Sequence, residues 1–251
     1  MTRRSAALAA ASLALLALSA CGGSDSPAGG DSRLTVLAAS SLTEAFPEIG
    51  QAFEDANPGT SVQFSFAGSQ ELVAQVDAGA PADVLALAGT GSLDTLKAGT
   101  GDPVPFAHNQ LAIIVPPGDP AGVRTLADLA DPAVKVALAG PDVPAGAYAQ
   151  QMLDDAGVAV TPVSQEVDVK SVVTRVSVGG ADAGVVYVTD ATAAAGQVDM
   201  VPIPDRLNVV ATYPAVTLDA SGNPDLAAQF VQFLLGDQAQ QILLDHGFTG
   251  P

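Results

Sequence analysis

Two serines stand where strand-like runs give way to helix-like ones. Ser41 lies in Leu34-Thr-Val-Leu-Ala-Ala-Ser-Ser-Leu-Thr-Glu44, and Ser69 in Val62-Gln-Phe-Ser-Phe-Ala-Gly-Ser-Gln-Glu71. A third turn of this kind, without a serine, is Pro141-Asp-Val-Pro-Ala-Gly-Ala-Tyr148. The start of a helix leaves backbone N–H groups unpaired and carries a partial positive charge, so a hydroxyl placed there helps hold an anion without any cationic side chain. Covalent chemistry finds less support. A serine nucleophile needs a base, and the histidines are His108, just before a predicted strand, and His246, near a helix end where it stabilises the last turn. There is no Gly-x-Ser-x-Gly elbow and no Gly-Lys-Ser/Thr phosphate loop, and Gly89-Thr-Gly91 lacks the third glycine of a dinucleotide fingerprint. Asp142, Asp168 and Asp190 match no metal-loop spacing and read as solvated surface acids. The chain reads as a binder of a small anion, with no catalysis and no cofactor.

Both serines also have plainer readings. Ser41 with Glu44 fits a capping box, in which the serine stabilises its own helix, although Pro47 would then remove a donor from the second turn. Ser69 fits an ordinary N-cap, and Pro144 suits the first position of a helix.

The elements that must position these residues alternate. Strand-like runs occupy 34–37, 61–66, 84–87, 111–115, 134–139, 184–188 and 208–215. Between them, Leu72-Val73-Val76, Leu93 with Leu96, Tyr148 with Met152, and Val172-Val173-Val176 recur at helical spacing. Repeated βα units imply an α/β fold with a mostly parallel sheet, which binds ligands beyond the carboxyl ends of its strands. Two longer strands, 109–116 and 208–218, are candidate crossings between two lobes. Lobe one would comprise 33–110 with 209–251, and lobe two 111–208. The closing stretch holds two helices, 224–236 with Pro224 in its first turn, and 237–246.

The N-terminus reads as an export signal. Arg3 and Arg4 precede a short apolar run to Ala20, too short for a convincing membrane span. Leu18-Ser-Ala-Cys21 resembles the lipobox of bacterial lipoproteins, which implies cleavage after residue 20 and lipidation of Cys21. Residues 21–32, rich in Gly and Ser, then form a flexible tether. Cys21 is the sole cysteine, so no intrachain disulfide and no multi-thiolate metal site is expected. The formal charge is −18, and loss of Arg3 and Arg4 leaves seven basic against 27 acidic residues, a balance of −20. That excludes nucleic acid and electrostatic docking on anionic lipid. It does not exclude an anionic ligand, because charge repulsion is screened beyond about 8–10 Å while oriented N–H groups act at contact. Tryptophan is absent and aromatics are few, which disfavours a sugar-stacking platform.

Four strings resemble the molybdate-binding proteins of bacterial molybdate ABC importers: Ala38-Ala-Ser-Ser-Leu-Thr43, Phe66-Ala-Gly-Ser69, Ala78-Gly-Ala-Pro-Ala-Asp83 and Val143-Pro-Ala-Gly-Ala-Tyr148. Gly184-Val-Val-Tyr-Val-Thr-Asp190 and Gly247-Phe-Thr249 extend the similarity over nearly all of the mature body. The resemblance implies a two-lobed, type II periplasmic-binding-protein fold that closes on a tetrahedral oxyanion. It implies contacts from the hydroxyls and N–H groups of Ser41 and Ser69, the N–H groups of Ala145 and Val169, and the hydroxyl of Tyr187. Val169 lies in the loosely matching Glu166-Val-Asp-Val-Lys170, and Tyr187 in an apolar strand where a core tyrosine is the plainer reading. Molybdenum would be held as molybdate through these donors, with no direct metal ligand, and tungstate would bind likewise. The implied partners are the permease and ATPase subunits of an ABC importer, and a monomer on the outer face of the cytoplasmic membrane is expected. Other readings are a receptor for sulfate or another tetrahedral oxyanion, and a surface sensor that keeps the fold without transport.

Overall fold

The computed structural model describes residues 32–251. The signal segment, Cys21 and residues 22–31 of the tether lie outside the described residues. The body runs β1 (Ser32–Ala39), α1 (Ala45–Ala56), β2 (Thr60–Ala67), α2 (Ser69–Asp77), β3 (Val84–Ala86), α3 (Thr90–Leu93) and β4 (Val104–Val115). It continues with β5 (Val136–Ala139), α4 (Pro144–Ala156), β6 (Ser164–Glu166), α5 (Val169–Ser177), β7 (Ala183–Tyr187), α6 (Val188–Ala193) and β8 (Asp199–Pro202). It closes with β9 (Val210–Thr217), α7 (Pro224–Phe233) and α8 (Asp237–Asp245).

The strands follow one path, β2-β1-β3-β9-β4-β7-β5-β6, with β8 paired to β4. β1 pairs in parallel with β2 and β3, and β5 pairs in parallel with β6 and β7. Antiparallel β9 and β4 lie between these two parallel groups. β4 belongs to both halves: Val104–Gln110 pairs with β9, whereas Leu111–Ile114 pairs with β7. The chain passes back beside that junction, where the Asn208 side chain accepts from Leu111 N at 3.0 Å and donates to its carbonyl at 2.8 Å. This is the two-lobed type II architecture, with each parallel group flanked by helices.

Composition accounts for the layers. From Val36 to Ala39 β1 is buried without alternation, because a parallel strand covered on both faces needs an apolar run. In α1, Phe46, Ile49 and Phe53 fall on one face. The Phe46 and Phe53 rings meet Phe106 and Phe230 through tilted and edge-on contacts 5.2–6.3 Å between centroids. Much of the phenylalanine content is thus spent inside the first lobe.

Several expectations need correction. α1 begins at Ala45, after a separate 3₁₀ turn at Ser40–Leu42, so Pro47 sits in the first turn, where its missing N–H has no helical partner to lose. The run at 93–96 is helical only to Leu93. β4 starts at Val104, placing His108 inside it rather than before it. β6 and β8 are additional strands, each on the margin of its sheet.

Candidate functional site

Ser41, Ser69, Ala145, Val169 and Tyr187 line one small, nearly filled cavity beyond the carboxyl ends of β1, β2, β5, β6 and β7. Ala39, Ser40, Gly68, Ala88, Val143 and Pro144 complete its wall, and none of these side chains is charged. A larger, open cleft outside shares only Pro144 with it.

Ser41 follows β1 and is 2% exposed. No capping box forms: Ser41 makes no cap bond to its own turn, and Glu44 bonds Lys170 instead. The Ser41 hydroxyl lies 2.9 Å from that of Tyr213 on β9. Tyr213 accepts from Asn109 Nδ2 at 3.3 Å, and Nδ2 also donates to Thr189 Oγ1 at 2.9 Å. Asn109 Oδ1 is taken by Gln110 N, which orients the amide. The Tyr213 oxygen has a second lone pair, so either hydroxyl of the Ser41–Tyr213 pair can donate; when Tyr213 donates, the Ser41 hydrogen is free for the cavity. Burial pushes the Tyr213 hydroxyl far above its usual pKa, so it stays a donor.

Ser69 is the first residue of α2; the cap position belongs to Gly68, whose N–H donates to the Glu71 carboxylate at 3.2 Å. The Ser69 oxygen accepts from Ala88 N at 3.0 Å, so its hydrogen too is unspent. Each serine thus stands against a buried polar partner and can turn a hydrogen toward the cavity.

The second lobe brings two helix starts. Pro144 is the first residue of α4 and Ala145 the second, so the Ala145 N–H is one of the amides without a helical partner. The start of α4 presses on the end of β5 at Gly146, where a Cβ would lie 2.1 Å from the Gly140 carbonyl oxygen and 2.4 Å from that of Ala139. Val169 is the first residue of α5. Asp168 caps that helix by accepting from Ser171 N at 2.7 Å, leaving the Val169 N–H unclaimed within the helix. Tyr187 ends β7, 1% exposed, and donates to the Ala88 carbonyl at 3.2 Å across the lobes. Burial holds its hydroxyl well above the usual tyrosine pKa. A second cross-lobe bond runs from Gln70 Nε2 to the Val167 carbonyl at 2.9 Å.

The three aspartates are not alike. Asp142 is exposed and Asp168 is a helix cap. Asp190 is 1% exposed, not a solvated surface acid, and its carboxylate lies 3.0 Å from Lys170 Nζ. Burial pushes its pKa up to about 6 against the pull of Lys170. His246 ends α8 and pairs with Glu48 at 3.1 Å, while His108 Nδ1 meets the Gly250 carbonyl at 2.8 Å; neither lines the cavity. Among the described residues, no group of three or more His, Cys, Asp or Glu is arranged to hold a metal ion. Sequence reasoning missed Ser40 and the Ala88 carbonyl; Ser40 was legible as the neighbour of Ser41, but Ala88 acts through backbone alone.

Neutral hydroxyl donors and three helix starts converging on a small cavity can hold an anion without titrating near neutral pH. The model for bacterial extracellular solute-binding proteins matches residues 34–249. The molybdate-binding protein ModA of Mycobacterium tuberculosis is 41% identical over 93% of each chain. The substrate-binding domain of a putative molybdenum ABC transporter from Clostridium difficile superposes with a TM-score of 0.65 at 28% identity, covering 87% of this chain and 99% of that one. The sulfate-binding protein SubI of M. tuberculosis has a TM-score of 0.78 over 87% of each chain, but at 19% identity it shares the fold alone. The chain belongs to the bacterial extracellular solute-binding proteins, in the company of ModA.

Proposed function

We propose that this protein is an extracytoplasmic receptor that closes its two lobes on molybdate, or tungstate, and delivers it to an ABC permease. The observation that carries this reading is the pair of buried serines, each hydrogen-bonded to a buried partner and able to offer its hydrogen to an uncharged cavity. Ser41, Ser69, Ala145, Val169 and Tyr187 are the proposed contacts. On ligand entry, Tyr187 would turn its hydrogen from the Ala88 carbonyl to the anion. The lobes proposed to move are 33–110 with 209–251 against 111–208, hinged where β4 changes partners and where Asn208 grips Leu111. A fully deprotonated dianion suits a wall whose side chains offer donors and no charge. No catalytic step is proposed.

The ModA name of a relative 41% identical over 93% of the chain supports molybdate as the solute. The implied lipobox supports anchoring through Cys21 to the outer face of the cytoplasmic membrane. Among the described residues, no helix is long and apolar enough to cross a membrane. We further propose a monomer, because closure needs free cleft edges.

Isothermal titration with molybdate, tungstate, sulfate and phosphate tests the reading. Tight binding of the first two alone supports it. Sulfate binding of equal strength moves it to another oxyanion, and no heat with any of them, on folded protein stripped of ligand, overturns it. Cys21→Ser should release the protein from the membrane fraction; unchanged retention overturns the anchor.

A further inference from the structure

We infer that Lys170 is a positioning residue that latches the closed cleft by gripping Glu44 of the opposite lobe. The inference rests on the receptor reading above. Lys170 is the second residue of α5, directly after Val169, which lines the cavity. Its Nζ lies 3.0 Å from Asp190 Oδ1 and 2.7 Å from Glu44 Oε2. Asp190 stands on α6 of the same lobe with its side chain fully buried, whereas the Glu44 side chain is 37% exposed and lies between Ser41 and α1 of the other lobe. Lys170 is thus fixed to its own lobe twice, by backbone and by a buried carboxylate, while its remaining bond reaches across. Among the described residues, the other ion pairs join groups on one side of the Gln110–Leu111 junction or within the first lobe; Lys170–Glu44 is the pair that spans the cleft.

The placement of Lys170 argues for a role. A cation in the first turn of a helix opposes the helix dipole, and neutralising Asp190 would require no second carboxylate. Two partners offset that cost, and one of them is within reach only when the lobes are together. Lys170 also leaves the three-group cluster with one net negative charge instead of two beside a site for a dianion. Closing the latch draws α5, and with it the Val169 N–H, toward the serines of the first lobe.

Glu44→Gln isolates the latch, because it leaves the Lys170–Asp190 pair intact. The latch predicts molybdate binding weaker by about two- to five-fold, the range for a partly exposed ion pair. The loss should fall on the release rate, followed by tyrosine fluorescence in stopped flow, with thermal unfolding of the ligand-free protein unchanged. Lys170→Arg, which keeps the cation, should hold affinity within about two-fold. A Glu44 acting only as a like charge near the anion predicts the opposite sign, and tighter or unchanged binding in Glu44→Gln overturns the latch. So does an equal loss of ligand-free stability, which would make Glu44 a structural group of its own lobe. A wild type that binds none of the oxyanions overturns the receptor reading and the latch together; a wild type that binds, with Glu44→Gln indistinguishable from it, overturns the latch alone.

Discussion

Replacing Ser69 by alanine removes one oxygen with two jobs, and the two losses are read separately. In the ligand-free protein that oxygen is the partner of the buried Ala88 N–H at 3.0 Å. Leaving a buried donor unsatisfied costs about 1–3 kcal/mol. For a body of this length each kcal/mol moves Tm by about 2–4 °C, so calorimetry should show a fall of about 2–12 °C. In the complex the same hydroxyl would donate to a charged acceptor, a bond contributing about 1.5–3 kcal/mol. At about 1.4 kcal/mol per decade, the Kd for molybdate should rise about ten- to a hundred-fold. The magnitudes are similar but the readouts are independent, because titration compares free and bound states of the same folded variant. A lowered Tm with an unchanged Kd would refute the reasoning, since Ser69 would then only brace Ala88. An unchanged Tm with weaker binding would refute the buried bond to Ala88 N.

Two other perturbations test neighbouring parts of the argument. Gly146→Ala drives a methyl group into the Gly140 and Ala139 carbonyl oxygens; displacement of the α4 start should cost about 1–3 kcal/mol in denaturant unfolding and weaken molybdate binding through Ala145, and wild-type values for both would show that the contact is not held in solution. Asp190, with a pKa raised from 3.8 to about 6 in the folded state, stabilises the fold fully below about pH 4 and loses that contribution as pH rises through about 6, a change on the order of 2–3 kcal/mol. Asp190→Asn should therefore flatten unfolding stability against pH between 4 and 6.5 relative to wild type, and parallel profiles would sink the assignment.

What was legible in the chain follows from where its signals are local. The turns after β1, β2 and β5 could be read because an apolar run ends in small polar residues beside an unspent helix start, all within ten positions. Alternating runs gave the α/β class, and the two longer strands at 109–116 and 208–218 gave the crossings between two lobes. β6 escaped notice because Ser164–Glu166 is a half-exposed marginal strand with no apolar alternation to betray it. β8 pairs only with β4, and its burial is confined largely to Val201. The capping reading of Ser41 and Glu44 failed for a longer-range reason: their partners, Tyr213 and Lys170, stand 172 and 126 positions away. Asp190 was misread although its flanks held a warning. It ends an apolar stretch, Gly184-Val-Val-Tyr-Val-Thr-Asp190, and an acid so placed is carried inward with its neighbours.

The position of β9 governs when the first lobe becomes complete. β9 lies between β3 and β4, yet it begins only at residue 210, after every strand of the second lobe has been made. Until then β3 and the first half of β4 have no partner between them, and the first sheet is split down its middle. Pairings so distant along the chain form late and slowly. The lobe that begins the chain therefore stays unfinished until nearly all of it has been synthesised, and its stability cannot be gained before the second lobe has been laid down.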